Sequence, residues 1–258
     1  MPSGEFLNSK LLSELSACEG KCAVWIESLI TDDIYVYNPD MPLQAASVIK
    51  LIIMLSAFEA IHDGKLNGNA SYRIRETDKM PSCGALTYMH SDLNVTYFDL
   101  ITLMVILSDN TATNILIEKL GIDYINGIAS KYDLSDMMLR RRLFDDDAAS
   151  RGIENTVTAR SAASFFRKLY RKELVDEASS DKMLDILLSQ RLNGKIPFFL
   201  EGMGIRTAHK TGEDDGITHD VGIIYSDTPL IAVFLSNETN VPCFERFIQD
   251  AAKHISIR

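Results

Sequence analysis

The sequence has little of what several common functions require. Its four cysteines, Cys18, Cys22, Cys83 and Cys243, follow no CxxC or Cys/His spacing, so neither a metal site nor a disulfide framework is expected. Cys18 and Cys22 stand four apart at a helix-to-strand junction, where a disulfide is conceivable but reduced core thiols are the expected state. No Gly-rich phosphate loop is present, and no metal or cofactor is implied. Basic residues are outnumbered, 26 Lys and Arg against 36 Asp and Glu, for a formal net charge of -10. That balance repels phosphate backbones and anionic lipid, so neither nucleic acid nor a membrane is expected as a partner. Long apolar runs are also missing, since Leu51–Ala57 and Leu103–Leu107 fall far short of the roughly 20 residues that span a bilayer. The opening Met1-Pro2-Ser3-Gly4-Glu5 has neither the basic nor the apolar part of a signal peptide. As it stands the chain reads as cytoplasmic, or as periplasmic or secreted if a leader has been removed. Repeats, low-complexity tracts and long linkers are absent too.

What is present is globular: 258 residues, 46% hydrophobic and 24% charged, enough for a sizeable core in one large domain or two modest ones. Asn8–Ala17 has Leu11, Leu12 and Leu15 at helical spacing and predicts an amphipathic helix. Cys22–Ile30 and Ile34–Tyr37, joined by Thr31-Asp32-Asp33, predict a hairpin. Helical periodicity then dominates, in Val48–Ile61, Phe98–Leu107, Ala112–Leu120, Ala159–Tyr170 and Lys182–Leu188. Strand-like text returns at Ile205–Lys210, Thr218–Tyr225 and Leu230–Leu235, and Phe244–Ile257 closes the chain as a helix. Strands from both ends can share one antiparallel sheet with the terminal helices on its face. The expected architecture is therefore α/β plus all-α: a sheet domain of residues 1–44 and 191–258, with an all-α domain of residues 45–190 inserted. A groove between two such lobes is a usual place for a small-molecule site.

Three short motifs bear chemistry. Ser47-Val48-Ile49-Lys50 opens the strongest helix, and residues three apart share one helical face. A serine needs a base to become a nucleophile. A lysine among Leu51, Ile52, Ile53 and Met54 can be that base if burial holds it neutral. A helix start at Ser47 would also offer N–H groups to an oxyanion. Ser108-Asp109-Asn110 ends an apolar run and supplies a hydroxyl able to relay a proton beside a substrate-binding amide. Lys210-Thr211-Gly212 ends a strand, where the cation can anchor an anionic group and poise Ser108, and the glycine lets substrate lie close to the strand edge. Each motif alone has a plainer reading: a helix cap with a snorkelling lysine, a loop N-cap, a solvated strand end.

Together, in this order and context, the motifs resemble those of the penicilloyl-serine transferases, most closely the class A β-lactamase-like serine hydrolases. The resemblance runs over nearly the whole chain, through Gln44–Lys50, Leu100–Gly121, His209–Gly212 and His219–Ile224. It implies a monomeric enzyme whose Ser47 is acylated by a β-lactam or a peptide-like acyl substrate. Lys50 would be the base, Ser108 the proton donor to the departing nitrogen, and Lys210 the cation holding that network. Asn110, Thr211, Gly212, Glu213 and His219 would line the substrate, with the oxyanion held by the N–H groups of Ser47 and Glu213. Arg206 shares strand parity with Lys210 and could add positive potential.

The departure from the family lies before Thr156-Val157-Thr158. Class A enzymes carry there a glutamate that orients the deacylating water. Here the stretch reads Leu139-Arg140-Arg141-Arg142-Leu143-Phe144-Asp145-Asp146-Asp147, and alignment places Leu143 near the missing carboxylate. Asp145 is the nearest replacement, with Asp146, Asp147 and Glu154 as alternatives. The open alternatives in function are a penicillin-binding, peptidase- or esterase-like acyl-serine enzyme that deacylates slowly, and a binding homologue that has lost its chemistry.

Overall fold

The computed structural model describes residues 6–257; Met1–Glu5, read above for a leader, lie outside the described residues. A five-stranded antiparallel sheet in the order β2-β1-β9-β8-β7 forms the frame. Its strands are β1 (Lys21–Ser28), β2 (Ile34–Tyr37), β7 (Arg206–Asp214), β8 (Ile217–Tyr225) and β9 (Leu230–Asn237). Strands from the two ends of the sequence meet where β1 pairs with β9, Trp25 opposite Val233. Side chains alternate across a strand, yet nearly every residue of β1, β8 and β9 is buried, because both faces are covered. Val24, Ile26, Ala232 and Phe234 face the terminal helices α1 (Ser9–Ser16) and α9 (Val241–Ser256). Ala23, Trp25, Val221 and Val233 face the helical block between the strands.

That block packs α2 (Lys50–His62), α3 (Tyr97–Ile106), α4 (Asn110–Leu120), α5 (Ile122–Lys131), α7 (Ala159–Tyr170) and α8 (Glu177–Leu188), with the short α6 (Asp146–Ser150) in a loop. In α2 every residue from Lys50 to Ala60 is buried, so it is the central helix, mostly apolar and enclosed on all sides. The expected fold class, an antiparallel sheet with the terminal helices on one face and a helical block between its strands, is the observed one. Sequence periodicity missed α5 and α6, and also the two- and three-residue ladders β3 (Leu43–Gln44) with β6 (Thr156–Val157) and β4 (Ser71–Arg73) with β5 (Asn94–Thr96), too short to show alternation. The expected helix over Val48–Ile61 begins instead as a 3-10 turn, Ala46–Ile49, before α2 takes over at Lys50. All four cysteines are free, with Cys22 buried, Cys18 and Cys83 half-buried and Cys243 exposed, so the expectation of core thiols is corrected to Cys22 alone. Among the described residues no helix is long and apolar enough to cross a membrane.

Candidate active site

Ser47 lies in the 3-10 turn and lines a cavity of about 590 Å³. The turn is fixed from behind: β3 pairs with β6, and the Ala45 N–H donates to the Asn155 carbonyl at 2.8 Å. Ala46, just before the serine, has φ of 42°, a left-handed conformation that costs a non-glycine residue roughly 1–3 kcal/mol and persists where surrounding structure imposes it. Ser108 is held the same way, with φ of 53°, between α3 and α4. Of the positive-φ residues, Ala46 adjoins the Ser47 hydroxyl and Ser108 carries the other.

Lys50 is fully buried. Its Nζ donates to the Ser108 carbonyl at 2.8 Å, to Ser108 Oγ at 2.9 Å and to Asn110 Oδ1 at 2.9 Å. All three bonds go to the Ser108–Asn110 segment rather than to Ser47. Lys210 is equally buried, and its Nζ donates to Ser108 Oγ at 3.1 Å and to the Thr211 carbonyl at 2.8 Å. Two lysines therefore converge on one hydroxyl with no carboxylate bonded to either. Burial, then repulsion from Lys210, holds Lys50 well below the ordinary lysine range. Burial, then repulsion from Lys195, lowers Lys210 to about 7, against the attraction of Asp220 and Glu213. A neutral amine has two protons and one lone pair. A neutral Lys50 giving its two protons to the Ser108 carbonyl and Asn110 Oδ1 would turn its lone pair toward the third neighbour, Ser108 Oγ.

Asn110 gives its Oδ1 to Lys50 while Nδ2 donates to the Pro81 carbonyl at 3.1 Å, which leaves one amide proton for the cavity it lines. Asp109, a residue the sequence reading passed over, organises this corner. One carboxylate oxygen accepts from the Ala85 and Leu86 N–H groups, at 2.7 and 2.8 Å, and the other caps α4 through Ala112. Its signal was in the motif: Asp is a preferred N-cap, and here the capping side chain also ties down a facing loop.

The edge strand β7 forms the opposite wall. Among the described residues its outer edge has no strand partner, although side chains take two of its carbonyls, Lys210 that of Thr211 and Gln190 that of His209. Glu213 borders the cavity. Thr211 is buried, and its carbonyl anchors Lys210. A Cβ on Gly212 would lie 3.0 Å from His219, 3.2 Å from Val48 and 3.3 Å from the Ala45 carbonyl. The glycine therefore admits the Ser47 turn against the strand rather than substrate, which corrects the expectation. His219 is corrected as well. It is fully buried, its Nδ1 accepts from the Ser236 N–H at 3.0 Å, and its Nε2 sits 2.8 Å from the Gln44 carbonyl. The Ser236 bond fixes the Nε2–H tautomer, and burial lowers the ring to about 4, so His219 is a neutral brace between β8, β9 and the segment leading to Ser47. Its neighbour Asp220 points to the other face and bonds His209 Nδ1 at 2.8 Å and the Ile196 N–H at 2.9 Å. Arg206 is exposed and stacks on Tyr225, with 5.8 Å from guanidinium to ring, outside the cavity lining.

The third wall is the loop around 139–155. Asn114 on α4 clamps it, with Nδ2 donating to the Leu143 carbonyl at 2.9 Å and Oδ1 accepting the Leu143 N–H at 3.0 Å. Asn155 does the same for Arg140 and Arg141. Leu143 and Phe144 thereby face the Ser47 cavity. Asp145, expected as the deacylating carboxylate, instead caps α6 through the Ala148 N–H at 3.0 Å and lines a separate cavity with Thr77 and Asp78. Of the alternatives, Asp146 and Glu154 border the Ser47 cavity, and Glu154 is paired to Arg141 at 2.6 Å. Cys83 also lines it, and its carbonyl accepts the Asn110 N–H at 3.1 Å.

The family model described as "Beta-lactamase enzyme family" matches residues 7–257. Among solved structures, a beta-lactamase from Sphaerobacter thermophilus is 28% identical with a TM-score of 0.87, covering 95% of this chain and 94% of its own. The structure of PBP-A is 24% identical with a TM-score of 0.86, covering 96% and 93%. A beta-lactamase from Chitinophaga pinensis is 19% identical with a TM-score of 0.85, covering 96% and 97%. Among curated proteins none matches the sequence.

Proposed function

The chain belongs to the beta-lactamase enzyme family, and we propose that it acts by a class A-like route in which Ser47 is the acylated residue. Membership carries the coarser statement: a serine β-lactamase-type hydrolase acting on β-lactams. The finer reading rests above all on the convergence of Lys50 and Lys210 upon Ser108 Oγ.

In this reading neutral Lys50 takes the Ser47 proton as Oγ attacks the lactam carbonyl. The tetrahedral oxyanion is met by the N–H groups of Ser47 and Glu213. The Lys50 ammonium passes a proton along its bond to Ser108, and Ser108 gives its own to the lactam nitrogen as the C–N bond breaks. Lys50 returns neutral, and the ring-opened acyl group stays on Ser47. Lys210 supplies the positive field that orients Ser108, and Asn110 keeps one amide proton for the substrate.

Deacylation needs a water and a base, and the clamped Leu143 supports a slow second step. The protein is then a serine hydrolase that acylates readily and releases product slowly, nearer to a penicillin-binding enzyme than to a fast β-lactamase. Intact-protein mass spectrometry after mixing with benzylpenicillin tests this. A Ser47 adduct should form, persist for many minutes, and be absent in Ser47→Ala. Its rate of formation should fall with falling pH as Lys50 regains a proton. Equal adduct in Ser47→Ala would remove the assignment, and rapid disappearance would remove the slow second step.

A further inference from the structure

Three of the four cysteines gather where the chain passes from α1 into β1, on the sheet face away from the helical block. Cys18 follows Ala17, the C-cap of α1, and Cys22 is the second residue of β1. Both side chains sit in the apolar layer between the sheet and the terminal helices, with Leu15 and Phe244. Cys22 is buried and Cys18 half-buried. Their thiols meet in a side-chain hydrogen bond. Cys243, exposed in the first turn of α9, is close enough to act on Cys22 through its charge.

The turn joining the pair is fixed on both sides. Gly20 has φ of 82°, and a Cβ there would run into the Glu238 carbonyl. Lys21 pairs with Glu238 at 2.6 Å, and Lys21 and Cys22 stand opposite Asn237 and Ser236 in the ladder with β9. From the helix side, the Cys18 N–H donates to the Leu15 carbonyl at 3.3 Å, and Sγ donates to the Glu14 carbonyl at 3.3 Å. A disulfide requires two Cβ–S vectors aimed at each other, and this turn imposes that arrangement on the reduced pair. The two thiols are also unequal. Contact with Cys22 lowers the Cys18 thiol, whereas Cys18 first, and then burial, push Cys22 up. The thiolate is the nucleophile, so the half-buried Cys18 reacts before its buried neighbour. Capping Cys18 removes the charge that keeps the proton on Cys22, and the Thr239 hydroxyl, bonded to the Cys22 sulfur, favours its thiolate.

We propose that Cys18 and Cys22 are a redox couple that takes a low-molecular-weight disulfide, with Cys18 as the attacking thiol and Cys22 as the resolving one. It is independent of the chemistry at Ser47. Cys18 attacks one sulfur of the donor, forming a mixed disulfide as the first small thiolate leaves and takes up the Cys18 proton. Cys22 then attacks Cys18 Sγ, and the second small thiolate leaves with the Cys22 proton. Two protein thiols are oxidised to one disulfide, and the donor is reduced to two thiols. The new bond ties the end of α1, docked through Leu11 and Leu15, to the first residues of β1.

The full chain is incubated with oxidised glutathione, quenched in acid, alkylated with N-ethylmaleimide under denaturing conditions and mapped by mass spectrometry. Cys18 and Cys22 should leave the alkylated pool together and reappear as one linked peptide, reversibly with dithiothreitol. Cys22→Ala should trap glutathione on Cys18. In Cys18→Ser, Cys22 should take up glutathione several-fold more slowly than Cys18 does in Cys22→Ala. Amide exchange across α1 should slow in the oxidised parent. A Cys22–Cys243 link, or full alkylation of Cys18 and Cys22 while Cys243 carries glutathione, would overturn the couple. Glutathione persisting on Cys18 of the parent would overturn the resolving role of Cys22. Equal rates in the two variants would overturn the order of attack, and unchanged exchange would overturn the tie to α1.

Discussion

Two walls of the same groove are built on opposite principles. The wall of Lys50, Ser108 and Lys210 is almost inaccessible to solvent, and each member is fixed by at least two hydrogen bonds within the segment it serves. Burying two lysines costs several kcal/mol per charge unless they shed protons or find partners, and on the proposed route that cost is retained for chemistry. The facing loop, 139–155, is half-exposed and held by the side chains of Asn114 and Asn155. It presents Leu143 and Phe144 to the Ser47 cavity. On the proposed acyl-serine route, acylation would rest on the buried wall and deacylation on the loop, so that one can be complete while the other is not.

The most severe test of that separation is Ser108→Ala. Removing a positioned proton relay costs roughly 10²–10⁴-fold, and stopped-flow acylation should fall by that much, because Lys50 and Lys210 lose their shared acceptor. The lifetime of the adduct that does form should change far less. An acylation rate within a few-fold of the parent would mean that the lysines serve the fold alone.

The converse change is Leu143→Glu. It should leave acylation within a few-fold and shorten the Ser47 adduct's lifetime by roughly a hundredfold, the lower range of a general base. The lifetime, read by mass spectrometry after removal of excess substrate, is the deciding quantity. An unchanged lifetime would show that the loop's backbone, and not only the missing carboxylate, departs from a hydrolytic arrangement.

The sequence was unevenly informative, for physical reasons. The terminal helices were legible because burial on one face writes a period into the chain, and the central strands and central helix because burial all round writes a continuous apolar run. Ala159–Tyr170, for instance, matches α7 residue for residue. The motifs holding Ser47, Lys50, Ser108 and Lys210 were legible as short patterns taken together; the structure brings Lys50 and Lys210 to Ser108, and the bonds of Lys50 go to that segment rather than to Ser47. The misreadings concern side chains whose direction depends on contacts far along the chain. His219 was expected to line the substrate, yet its partners are Gln44 and Ser236, the first 175 residues away. Gly212 was given to substrate because the Ser47 turn that fills its space is remote in sequence. Asp145 was chosen by proximity to the missing carboxylate, but a one-residue change of direction at a helix N-cap sends it into another cavity. Lys195 carried no motif, and only its burial against Glu213 makes it visible.

Asn114→Ala makes the smallest and finest cut between the two walls. The side chain is 8% exposed and spans α4 to Leu143 through two hydrogen bonds. It lies one helical turn beyond Asn110 but bonds to neither lysine. Loss of two such bonds, with both Leu143 backbone groups left to find water, should cost about 1–3 kcal/mol in urea unfolding. The loosening should stay local, with amide exchange rising at 139–145 and α2 remaining protected. Acylation should remain near the parent rate, since Lys50, Ser108 and Lys210 keep every bond they have. Should acylation instead fall as far as in Ser108→Ala, the clamp and the lysine cluster would form one cooperative unit, and the division of the groove into an acylating wall and an independent loop would fail.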